Sequence, residues 1–209
     1  MKVDLSNTSC SAWASRSCCT RDTAKHISRN ASDGTWLNFD WDHCGDKLPL
    51  SPKCRKHFVD DLCFYECSPN TGPWIISDLR TIRKERFFSV PLCRSECDAW
   101  FEDCQGDFTC TDNWAKNFVW TQGKNSCPNG SQCRTFKDIF GTSKRFCETV
   151  FDGSFKYADD TQPCMKLSFD GVNGNPNEAV EKQEIRNRAY LDAYTGGVRR
   201  WIQLELPYS

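Results

Sequence analysis

Three sets of side chains in this 209-residue chain could carry chemistry: fifteen cysteines, the carboxylate of Asp61 among aromatic neighbours, and the basic run Arg80, Arg83, Lys84 and Arg86. Cysteine clusters invite zinc, but the close pairs are Cys18-Cys19, Cys63-x3-Cys67 and Cys93-x3-Cys97, and none has the C-x2-C knuckle spacing. His26, His43 and His57 stand apart, so no metal is expected. The chain contains no G-x-S-x-G elbow and no H-E-x-x-H, and no cysteine stands in a protease signature. Acid pairs such as Asp60-Asp61 and Glu102-Asp103 are too common to specify glycosidase chemistry. The chain therefore reads as a protein that is not an enzyme and has no cofactor. What remains for the cysteines is the disulfide, which persists in oxidising compartments, so the chain reads as secreted or as lying on the extracellular face of the plasma membrane. An odd count leaves one thiol without an internal partner.

Charge is balanced, 27 Lys plus Arg against 28 Asp plus Glu, which argues against a nucleic-acid partner. Eight Trp, 14 Phe and 5 Tyr accompany a mean hydropathy of -0.65, so rings must supply much of the core and can also line a pocket. The start, Met1-Lys-Val-Asp-Leu-Ser6, has no apolar leader, which conflicts with the cysteine load and predicts that N-terminal residues are missing. No run approaches the roughly 18 apolar residues of a membrane span. The C-terminal Arg199–Ser209 segment is amphipathic, too short and polar for a lipid-anchor signal, so membrane attachment is not encoded. Sequons at Asn7, Asn30 and Asn129 fit a secreted surface as glycosylation candidates.

Four helices should position these groups. Residues 1–50 read as loops and short extended pieces pinned by cysteines. Ser51-Pro52 is a helix start, with Cys54, Phe58, Asp61, Leu62 and Tyr65 following at helical spacing up to Cys67. A second helix is predicted over Pro91 to Cys104, where Cys93, Cys97 and Cys104 share one stripe and can staple it to three other segments. Thr142 or Ser143 should cap a third, carrying Phe146, Cys147, Val150 and Phe151, and Asn175–Glu178 opens a fourth running to about Tyr194. Asp61 lies on the ring-bearing face of its helix, where a carboxylate needs donors. Those donors are either a ligand or a structural arginine; the basic run is either a solvated loop or an anion-facing patch.

The cysteine spacings resemble the folate receptor family, and so do these segments in their order: Trp41-Asp-His-Cys-Gly45, Cys63-Phe-Tyr-Glu-Cys-Ser-Pro-Asn70, Gly72-Pro-Trp74, Arg83-Lys-Glu-Arg86, Val90-Pro-Leu-Cys93, Trp100-Phe-Glu-Asp-Cys104 and Gly174-Asn-Pro-Asn-Glu178. The likeness runs from Cys10 to about Val180. It implies an α+β fold: one disulfide-rich globular domain over 10–180, several helices and short strands around a deep open pocket, with a flexible segment at 1–9 and a helix and tail at 181–209. It implies the pairs Cys10–Cys63, Cys19–Cys67, Cys44–Cys133, Cys54–Cys104, Cys93–Cys164, Cys97–Cys147 and Cys110–Cys127. Cys18 is left unpaired, its usual partner lying upstream.

The resemblance further implies a vitamin-binding receptor for folate or a reduced folate, with a possible protein partner. Asp61 would accept from the pterin N–H groups, Arg83 and Arg86 would donate to the ring's other side, and Ser154 would touch the pterin. Phe39, Trp114, Trp120 and Phe151 would line or stack on it, with Lys116 and Phe118 near the mouth and the glutamate tail. Departures from vertebrate receptors are Ile82, Phe118 and Phe151 in place of tryptophans, Leu37 and Phe155 in place of tyrosines, and Ala115 in place of a histidine. They imply reduced stacking and tail contact beside intact pterin polar contacts. Alternatives are an adhesion module of the Juno type or a riboflavin carrier. Juno has lost the equivalents of Asp61 and Arg83, and riboflavin-binding protein lacks the Arg-Lys-Glu-Arg signature.

Overall fold

The computed structural model describes residues 2–33, 35–36, 39–45, 48–78 and 84–204. Helices α1 (Arg21–Asp33), α2 (Pro52–Cys67), α3 (Arg94–Cys104), α4 (Phe136–Phe140), α5 (Ser143–Thr149) and α6 (Asn177–Leu204) are joined by short strands in two-stranded ladders. Four of these ladders are antiparallel: 35–36 with 39–40, 75–77 with 85–87, 108–109 with 134–135, and 119–121 with 124–126. Val90–Cys93 runs parallel to Phe155–Ala158. The α+β class and disulfide-rich character expected from the sequence are observed.

The α2 start is local chemistry. Ser51 Oγ accepts from the Cys54 amide at 3.3 Å and Pro52 occupies the first turn, where its missing N–H costs nothing. One face then buries Cys54, Phe58, Val59, Asp61, Cys63, Phe64 and Cys67. Phe58 meets Trp100 of α3 edge to face at 5.0 Å, and the Cys54–Cys104 bond fixes that crossing. Trp100 in turn meets Phe146 of α5 at 5.2 Å beside Cys97–Cys147. Rings and sulfur thus build the layer that aliphatic residues would otherwise fill. All seven disulfides are the pairs implied by the family resemblance, and Cys18 is free and exposed. Six of them join residues 48 to 89 apart, closures of a length that contribute roughly 2–4 kcal/mol each by restricting the unfolded chain.

Several expectations are corrected. Residues 21–33 form a helix where loops were expected. Among residues 21–29 of α1, Ala24 and Ile27 are the buried ones, and the helix cap is Thr20, whose Oγ1 accepts from the Thr23 amide at 3.1 Å. Packing on α2, with Cys10–Cys63 and Cys19–Cys67 before its start, compensates for that polar composition. Helix α3 begins at Arg94 rather than Pro91, because Val90–Cys93 is drawn out into the parallel ladder. Helix α5 stops at Thr149, so Val150 and Phe151 lie past its end, and α4 was not foreseen. Helix α6 continues to Leu204 instead of stopping near Tyr194. No helix among the described residues is long and apolar enough to cross a membrane. Near the N-terminus Leu5 is fully buried and the Val3 amide donates to the Ala14 carbonyl at 3.1 Å.

The turn at Gly171–Asn173 closes over the turn at Ser11–Trp13, and Trp13 packs on Phe64 and Phe169. A methyl group on Gly171 would lie 2.4 Å from the Ala12 carbonyl oxygen, with backbone on both sides of the clash. Gly171→Ala is therefore expected to lower stability by about 1–3 kcal/mol in denaturant titrations, the cost of overpacking a joint that cannot yield through a side chain.

Candidate functional site

Helix α2 presents Phe58, Asp61 and Tyr65 along one face. Toward its N-terminal side Phe58 stacks on Trp114, with centroids 4.7 Å apart and planes 6° apart, and meets Phe151 edge on at 6.3 Å. Toward its C-terminal side Tyr65 packs on Phe87 at 4.8 Å and donates its hydroxyl to the Glu85 carbonyl at 3.1 Å. Asp61 sits between these two contacts, 9% exposed. Among the described residues no group is hydrogen-bonded to its carboxylate. Burial, and secondarily the charge of Asp60, push its pKa up to about 8. An acid in this condition can hold a proton near neutrality, or release it to solvent and accept from incoming N–H donors.

The strand Glu85–Phe87 alternates: Phe87 turns to the core and Arg86 to the opposite side. Arg86 donates to the Asp152 carbonyl at 2.8 Å, lies 3.6 Å from the Asp152 carboxylate and 3.7 Å from that of Asp78, and covers the Phe88 ring at 5.5 Å. Asp152 also pairs with Lys116 Nζ at 2.5 Å and accepts from Asn113 at 3.2 Å. Burial alone would raise the Asp152 carboxyl, but these hydrogen bonds and the two cations outweigh it and hold it below the ordinary range. Asp152 itself takes a φ of 54° in the turn Phe151–Ser154, where Ser154 Oγ donates to the Phe151 carbonyl at 2.7 Å. Amides of Ser89 and Val90 bind the carbonyls of Gly153 and Ser154, docking this turn on the strand after Arg86.

A further set of rings extends from Trp114. Phe39 lies 5.7 Å from Trp114, 5.4 Å from Phe118 and 6.1 Å from Trp120. Asn125, 3% exposed, accepts from the Asp40 amide at 2.6 Å and donates to its carbonyl at 3.0 Å, which locks Phe39 to the Val119–Ser126 hairpin. His43 lies at the back, sharing Thr109 Oγ1 with Trp114 Nε1, at 2.9 and 3.0 Å. Burial lowers the His43 pKa to about 4, so it is neutral at physiological pH.

The structure thus joins Phe39, Trp114, Trp120 and Phe151 to one ring system around Phe58, and joins Arg86 and Lys116 through Asp152. Arg83, Ile82 and Leu37 lie outside the described residues. Trp114 is 3% exposed with a face already covered by Phe58, so it backs the wall, whereas Trp120 is half-exposed at its edge. Phe118, expected at the mouth, is 6% exposed against Phe39, His43 and Trp114 and belongs to the wall's packing. Phe155 faces the core beside Phe64. Asn7 and Asn129 are exposed, and Asn30 lies in α1. Sequence reasoning missed Asp152 and Asp78, the carboxylates that hold Arg86; the Asp152-Gly153 turn signal was the one available clue.

A family model, the folate receptor family, matches residues 2–166. Folate receptor gamma of Homo sapiens is 44% identical over 176 residues, 83% of this chain and 70% of that protein. Folate receptor alpha of Bos taurus is 39% identical over 181 residues, 85% of this chain and 73% of that protein. A riboflavin-binding protein of Dromaius novaehollandiae is more distant, 28% identical over 160 residues, 76% of this chain and 63% of its own length. With the family's segments in order, its cysteine pairing in place and a matching model over most of its length, the chain belongs to the folate receptor family.

Proposed function

We propose that this protein binds folate or a reduced folate without transforming it, on the extracellular side of the membrane, for uptake or carriage. The observation that carries the reading is Asp61: a buried carboxylate with no hydrogen-bond partner among the described residues, set between a wall of rings and the strand of Arg86. Leaving such a group unpaired is costly unless a ligand with adjacent N–H donors completes it, and a pterin presents such donors on a flat ring. The ring wall would then cover the heterocycle and exclude water. Arg83 and Arg86 would meet the ring's acceptors and Ser154 its edge. The tail would leave toward Trp120 and Lys116.

Titrating folic acid and 5-methyltetrahydrofolate against tryptophan fluorescence tests this, with quenching and a raised melting temperature expected. No response to either at high micromolar ligand would sink the reading. Riboflavin in the same titration separates a flavin carrier. A partner protein bound equally well by an Asp61 variant would favour an adhesion role. Lys116 is half-exposed, so Lys116→Ala is expected to weaken folic acid by only about two- to fivefold and to leave pteroic acid, which lacks the glutamate, unchanged.

A further inference from the structure

Two disulfides fasten the ring wall from behind. Cys44 follows His43, Cys110 follows Thr109, and Cys127 ends the hairpin that bears Trp120. Cys44–Cys133 spans 89 residues and Cys110–Cys127 spans 17. Their sulfurs crowd together: the Sγ atoms of Cys44, Cys127 and Cys133 all lie within 4.8 Å of one another. With Cys164, these three are the disulfide cysteines that are not buried. Cys44, Cys133 and Cys127 are each half-buried, while Cys10, Cys54, Cys67, Cys97, Cys104 and Cys147 have no exposed surface. Cys44–Cys133 is the disulfide whose two cysteines both keep partial exposure, whereas each of the other six has at least one buried partner.

We propose that these two bonds form a thiol-exchange site that takes an external thiolate, either a small thiol or a dithiol oxidoreductase, and rearranges. The thiolate attacks Cys44 Sγ, forming a mixed disulfide there and expelling Cys133 as thiolate. Cys133 then attacks the neighbouring Cys127 Sγ, a new Cys127–Cys133 bond forms, and Cys110 leaves as a thiolate that takes a proton from solvent. A second external thiol resolves the Cys44 mixed disulfide, so one external disulfide is made and the chain is reduced by one bond. Each step is thiol–disulfide exchange governed by access and sulfur-to-sulfur reach. The product replaces two long-range ties with one local loop, so Cys44 and Cys110 no longer hold the segment carrying Trp120. Resting on the folate reading, the consequence is release of ligand under reducing conditions.

The chain carries its own reporter, because trypsin cutting after Lys124 and Arg134 yields Asn125–Arg134, which contains both Cys127 and Cys133. The folded, ligand-free protein is treated with limiting reduced glutathione, quenched with N-ethylmaleimide, deglycosylated and digested without reduction. Cys18→Ser is run in parallel so that the exposed Cys18 thiol cannot be the attacking group. Expected is Asn125–Arg134 released as a single peptide with an internal disulfide, Cys110 alkylated, Cys44 alkylated or glutathionylated, and Cys54–Cys104 and Cys97–Cys147 intact. Recovery of that peptide with its Cys133 alkylated and its Cys127 still bonded to Cys110, or earlier opening of any other disulfide, overturns the exchange. In a second arm the protein is loaded with folic acid. Dissociation rising in step with the reporter peptide supports the release role, and a rearranged map with unchanged dissociation overturns it. Absence of folate binding before treatment would refute the folate reading alone, since the peptide map is read without ligand.

Discussion

Asp61→Asn is expected to cost about 2–5 kcal/mol of folate affinity while making the ligand-free protein more stable above neutrality. The loss follows from removing a desolvated acceptor opposite two ligand donors. The gain follows from the carboxyl's pKa, raised by burial to about 8. Between pH 4 and pH 8 the folded state holds a proton on this group that the unfolded state has released, so stability falls by about 1.4 kcal/mol per pH unit across that window. Asparagine removes the penalty without changing the shape. Melting temperatures of the two proteins should therefore coincide near pH 4 and separate steadily, with the variant higher, toward pH 8. Binding reverses the direction: donors that require the ionised carboxylate make the site release a proton on binding. Wild-type affinity should then rise by about tenfold per pH unit toward pH 8 and fall on acidification, while the variant's profile loses that slope. Equal folate affinity for both proteins, or a variant that melts lower at pH 8, would make Asp61 a structural acid.

Phe58→Ala is expected to cost about 3–5 kcal/mol of stability and to weaken folate binding together with it. Phe58 is 2% exposed and touches Trp41, Trp100, Trp114, Phe136 and Phe151, so truncation opens a cavity where the core and the ring wall meet. Trp114 loses the face it stacks on. Phe58→Leu fills most of the volume and should recover most of the stability, but it offers no flat partner to Trp114 and should recover less of the binding. Denaturant melts paired with folate titrations of the three proteins read both effects. Full binding in a folded Phe58→Leu protein would show that the wall needs volume alone.

Where the sequence was legible, the signals were local. Ser51-Pro52 announces α2 because the cap and the first turn need those residues there, and Thr142 announces α5 for the same reason. Asp61 stood out because helical spacing put a carboxylate on a face of rings. Helix α1 stayed hidden because Ala24 and Ile27, the buried residues of its stretch 21–29, make a faint stripe, and its stability comes from α2 and two disulfides closed from a distance. The strand at Val90–Cys93 stayed hidden because its partner lies at Phe155–Ala158, and a parallel pairing leaves no turn signal between its strands.

By itself the sequence determined which residues could do chemistry: a cysteine set for an oxidising compartment, a ring-rich core, a basic run and one acid on an apolar helix face. These are properties of residue type and near spacing, which the chain carries before it folds. Only the tertiary structure decided that Asp152 holds Arg86 and Lys116, that Trp114 backs the wall while Trp120 edges it, and that the sulfurs of Cys44, Cys127 and Cys133, from two disulfides, gather within 4.8 Å of one another. Those facts depend on which distant segments touch. Contact between segments tens of residues apart is set by packing of the whole core, which spacing along the chain does not express.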